Sequence, residues 1–71
     1  MYDYSKLKGR ITEVFGSQRA FAKALGKDES YLSKMLNNVM HFTVENIEIW
    51  AELLKIETTE IGVYFFTKKK G

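Results

Sequence analysis

Most combinations of side chains that carry out reactions are missing from this chain. His41 is the single histidine, cysteine is absent, and no cluster of carboxylates stands beside His41 at metal-ligand spacing, so it reads as a surface or loop residue. Without cysteine there is neither a disulfide nor a thiolate, a composition that fits a reducing cytoplasm. No nucleophile, base and orienting group can be assembled, and no glycine-rich phosphate loop appears. Catalysis is therefore not expected, and neither is a metal, a cofactor or a small-molecule ligand. The chemistry that remains is hydrogen bonding and charge, concentrated in SQRAFAKALGKDESYLSKMLNN, from Ser17 to Asn38. Its middle holds two adjacent acids, Asp28 and Glu29, between Lys27 and Lys34.

The net charge of +2 hides a strong division along the sequence. Residues 1–41 sum to +3, residues 42–67 to −4, and Lys68, Lys69 and Lys70 add +3. One face can thus be positive toward phosphates while the opposite side faces solvent or a partner. At 71 residues and 45% hydrophobic content, the chain suits one globular domain over residues 1–67 with a basic tail at 68–71, small enough for dimerisation to supplement its core. No apolar run approaches the roughly 20 residues of a membrane span, and the polar start MYDYSKLKGR does not resemble a signal peptide.

Proline is absent, so element boundaries rest on caps, glycines and periodicity. Five helices are expected. The first follows Asp3 as N-cap, aligns Leu7, Ile11, Val14 and Phe15, and ends at Gly16. Ser17 caps the second, which carries Phe21, Ala22 and Leu25 and exits through Gly26. Asp28 caps the third, with Leu32, Met35 and Leu36 inward and Asn37 and Asn38 as its stop. VMHF is a connector whose Phe42 plugs the core. Thr43 caps the fourth, with Ile47, Trp50, Ala51 and Leu54 inward and Ile56 beyond. A short fifth helix begins near Thr58 with Ile61 as anchor, and VYFFT is compatible with either its last turn or a short strand. The fold class is all-α.

The second and third helices, separated by a glycine-containing turn, match the helix-turn-helix, whose second member lies in the major groove. Ala22 is small where the helices cross, and Phe21, Leu25, Leu32 and Met35 fill the angle between them. With FTVENIEIWAELLKI following, residues 4–62 resemble the five-helix DNA-binding domain of phage repressors and Cro-like proteins. The likeness is nearest to the short Cro-like or repression-modulating proteins of phages from Gram-positive bacteria. Gln18, Ala22, Gly26 and Asn37 fall on the family's positions. Lys27 departs from the apolar residue usual there, so its aliphatic stem must cover what a Val or Met covers elsewhere.

The resemblance implies that Glu29, Ser30, Ser33 and Lys34 face base edges with Tyr31 at the flank. It places Gln18 and Arg19 near a phosphate and puts Lys27, Asn37 and Asn38 beside the groove. Asp28 is most simply a cap. Glu29 either favours the helix dipole or accepts from a cytosine N4 amine. Ile49, Leu53, Val63, Phe65 and Phe66 are more apolar surface than a small core absorbs, and they are expected to form a dimer or partner interface. The reading is a phage or prophage regulator that binds a palindromic or nearly palindromic double-stranded DNA operator as a homodimer and acts by occlusion. One alternative is a modulator or antirepressor that keeps the fold and binds a partner repressor. Another is an antitoxin or accessory subunit of a larger complex.

Overall fold

Side-chain caps set the starts of three helices in the computed structural model, which describes residues 1–70. The first helix, α1, spans Ser5–Phe15, but Asp3 does not cap it. Tyr4 occupies the N-cap position without a side-chain bond. The Asp3 carboxylate sits one residue earlier and accepts the Ser5 N–H at 2.9 Å and the Ser5 hydroxyl at 2.6 Å. Gly16, at φ 86°, closes the helix in the left-handed region that an L side chain enters only with strain.

Ser17 then accepts the Ala20 N–H and starts α2, Gln18–Ala24. Asp28 accepts the Tyr31 N–H and starts α3, Glu29–Leu36. Thr43 and Asn46 exchange side-chain and backbone bonds in a capping box that starts α4, Val44–Leu54. The fifth helix arrives in two pieces: a 3₁₀ turn at Thr58–Glu60 runs into α5, Ile61–Phe65. The fold is all-helical. Within VYFFT, Val63–Phe65 end α5 and form no strand, while one residue beyond it Lys68 makes an antiparallel bridge with Tyr2.

The inward stripes meet around Trp50. Phe21 and Phe42 stand edge-on to its ring at centroid distances of 4.9 and 4.7 Å, a geometry favoured by the ring quadrupoles. Half-buried Phe42 does plug the core and also touches Tyr4 and Phe65, at 5.4 and 5.2 Å. Leu7 and Ile11 of α1, Leu32 and Met35 of α3, and Leu54 of α4 complete the centre. Phe65, 1% exposed, anchors the last helix in place of Ile61, which is half-buried. From α1, Arg10 reaches across to donate to the carbonyls of Leu54 and Lys55 at 2.8 and 3.1 Å, satisfying the C-terminal end of α4. No helix among the described residues is long and apolar enough to cross a membrane.

Candidate interaction surface

The surface that the sequence singles out is built by α2, its turn and α3. Gly26 takes φ 72°, and the Lys27 N–H returns to the Ala22 carbonyl at 2.9 Å, so the chain reverses within a few residues. Phe21, Ala22, Leu32, Met35 and Leu36 are all buried. By helical periodicity this leaves Glu29, Ser30, Ser33 and Lys34 exposed on the outer side of α3, with Tyr31 half-buried at its flank. Gln18 is half-buried and Arg19 exposed at the start of α2.

These side chains are partly committed to each other. The Arg19 guanidinium lies 4.0 Å from the Glu29 carboxylate across the gap between α2 and α3, with both side chains largely exposed. Exposed pairs of this kind are worth little, from nothing to about 1 kcal/mol. Their consequence here is that an anion-seeking guanidinium and an acid share one spot. The Lys27 ammonium rests 5.3 Å over the Tyr31 ring, a cation–π contact. Asn37 donates to the Ser33 carbonyl at 2.8 Å and to its hydroxyl at 3.1 Å, which leaves the Asn37 oxygen open as an acceptor.

Two assignments made from sequence are corrected by the geometry. Asn38 is not an open groove contact: its side-chain oxygen accepts the Tyr2 N–H at 2.9 Å and its amide donates to the Tyr2 carbonyl at 3.0 Å. Both ends of the amide are occupied, and the residue holds the N-terminal segment with its own backbone at φ 62°. Phe65 is not a surface residue, since it closes the aromatic core.

The other expected interface residues differ in exposure, and Ile49 and Leu53 lie one turn apart on α4. Ile49, 44% exposed, lines a shallow groove with Leu25, Lys27, Tyr31, Asn46 and Trp50. Leu53 is half-buried against the core, Val63 is exposed on α5, and Phe66 stands edge-on to Tyr2 at 5.7 Å. Sequence reasoning missed a different apolar set, Val39, Met40 and Val44, exposed around the connector after α3. The available signal was that VMHF holds three apolar residues and the core takes up only Phe42.

The comparisons with known proteins bear on what such a surface does. The profile of a family described as "Protein of unknown function (DUF739)" matches residues 1–68. Among solved structures, the chain is similar to the modulator of repression (MOR) of the temperate bacteriophage TP901-1 from Lactococcus lactis. That likeness has 37% identity and a TM-score of 0.83, covering 99% of this chain and 95% of that one. A comparison with curated proteins finds no match.

Proposed function

The chain belongs to the DUF739 family, and from that premise we propose that it is a phage or prophage modulator of repression that acts by binding a repressor protein. The single observation that carries this reading is the 37% identity, over nearly the full length of both chains, to a protein described as a modulator of repression. The surface agrees with a protein partner. Arg19 and Glu29 set opposite charges side by side at the mouth of α2 and α3, where a reader of a polyanion gains from one sign. Exposed Val39 and Met40 follow α3 and exposed Val44 opens α4, and an apolar surface between two helices suits a protein contact. The partner is the repressor of the same phage, met in the cytoplasm of the host, and no catalytic step is involved.

A second reading is favoured by one feature, the α2–turn–α3 geometry. As a helix-turn-helix it would present Ser30, Ser33 and Lys34 to base edges, with a homodimer on a palindromic operator blocking polymerase. A mobility-shift experiment with the repressor and its operator separates the two. On the first reading the protein alone shows no preference for the operator over an unrelated duplex and changes the repressor–operator band. A shift by the protein alone that prefers the operator over an unrelated duplex, with no effect on the repressor, overturns it.

A further inference from the structure

The basic C-terminus is not a loose end. Lys68 bridges Tyr2, the Asp3 N–H donates to the Thr67 carbonyl at 2.7 Å, and the Lys69 N–H donates to the Met1 carbonyl at 3.1 Å. The other edge of that N-terminal segment is held by Asn38, whose side chain serves Tyr2 as a neighbouring strand would, accepting from its N–H and donating to its carbonyl. Phe66, edge-on to Tyr2 at 5.7 Å, fastens the same junction. Asn38 lies just past the end of α3, where the Val39 and Met40 N–H groups both return to the Lys34 carbonyl, at 2.9 and 3.2 Å. A continuous chain of contacts therefore runs from Lys34 through Asn38 and Tyr2 to Lys68 and Lys69.

We propose that Lys68, Lys69 and Lys70, on a tail latched through Tyr2 and Asn38 to the C-terminal end of α3, form a positioned site for the phosphate backbone of duplex DNA, outside the outer face of α3. These lysines and Lys34 are exposed, and among the described residues none of them makes an ion pair with a carboxylate. The acid near Lys69 is Asp3, which accepts hydrogen bonds from Ser5 and forms no ion pair with the lysine. In an extended segment alternate side chains fall on one side about 6.6 Å apart. Lys68 and Lys70 can thus reach phosphates of one strand together while Lys34 approaches from α3. Such contacts give affinity without sequence preference. The site does not depend on the repression-modulator reading, and a protein partner can occupy the rest of the surface.

The test is fluorescence anisotropy of a labelled 20-base-pair duplex of arbitrary sequence across a salt series. Three variants are compared: Lys68→Ala/Lys69→Ala/Lys70→Ala, a charge-matched control Lys6→Ala/Lys23→Ala/Lys55→Ala, and Asn38→Gly. Glycine keeps the left-handed backbone of residue 38 and every lysine but removes the clamp. The tail variant is expected to lower the log–log salt slope by about 2 to 3, at roughly 0.9 per phosphate contact, and the control by less than 1. Asn38→Gly is expected to weaken binding several-fold at unchanged net charge, with the Lys69 amide losing protection from hydrogen exchange. The proposal is overturned by equal losses in the two triple variants, by wild-type affinity in Asn38→Gly with the tail released, or by no duplex binding at low salt. Tail lysines needed for a repressor protein but not for duplex would likewise overturn it. If Asn38→Gly fails to fold, the paired triple variants still decide.

Discussion

Phe65→Ala is the perturbation that most clearly separates a core residue from an interface residue. Phe65 is 1% exposed and meets Phe42 at 5.2 Å and Trp50 at 6.4 Å. Truncating a buried Phe to Ala costs about 3–5 kcal/mol, through lost transfer energy and the cavity left behind. A chain of this length holds roughly 4–11 kcal/mol in all, at about 0.05–0.15 per residue. The substitution therefore removes about a quarter of the total or more. In urea, with a slope near 1 kcal/mol/M for a small domain, the midpoint falls by about 3 M or more. The neighbouring Phe66→Ala is the control. Phe66 is 49% exposed and its ring meets only the edge of Tyr2 among aromatic partners, so its loss costs about 1 kcal/mol. Equal midpoints for the two variants, or a fully stable Phe65→Ala protein that merely loses a partner, would refute the placement of Phe65 in the core.

Asp28→Ala removes the acceptor of the Tyr31 N–H and is expected to cost about 1 kcal/mol by thermal melting, while Asp28→Asn keeps most of the cap; equal losses in both contradict the capping role. Glu29→Gln leaves the helix intact and, with Arg19 exposed beside it, shifts stability by only a few tenths of a kcal/mol, so a change in partner affinity beyond a few-fold assigns Glu29 to recognition. The Asp3 carboxyl is held below its ordinary value of 3.8 by the Ser5 hydroxyl, then the Ser5 N–H, with Lys69 and Lys8 adding attraction. A lowered folded-state pKa means that this contribution is present at neutral pH and is lost as pH falls through that value. The Ser5 amide resonance should accordingly titrate below 3.8 and cease to titrate in Asp3→Asn, and a midpoint above 3.8 contradicts the bonding described.

Much of this molecule is legible in the sequence because its local signals agree with one another. Ser17, Asp28 and Thr43 each accept the N–H three residues on, and Gly16 and Gly26 take the positive φ expected of them. The stripes of α3 and α4 bury the residues that periodicity selects. The failures lie where tertiary contacts decide. Phe65 stands four residues after Ile61 and so on its inward face if the helix continues, but that signal is lost while VYFFT is left open between helix and strand. Asn38 looks like any polar residue after a helix, because its partner Tyr2 is 36 positions away. The pairing of Lys68 with Tyr2 is hidden for the same reason. The adjacent acids separate as their positions allow: Asp28 caps its helix, and Glu29 stays exposed opposite Arg19.

The central claim, that this protein modulates repression by binding a repressor, is tested most directly by isothermal titration calorimetry of the full chain into the repressor encoded by the same phage. The account predicts saturable binding at a fixed stoichiometry, weakened at least tenfold by Val39→Glu or Met40→Glu at the apolar edge of α3 while folding is kept. Absence of heat and of any complex by size-exclusion chromatography, with both proteins folded, would contradict it.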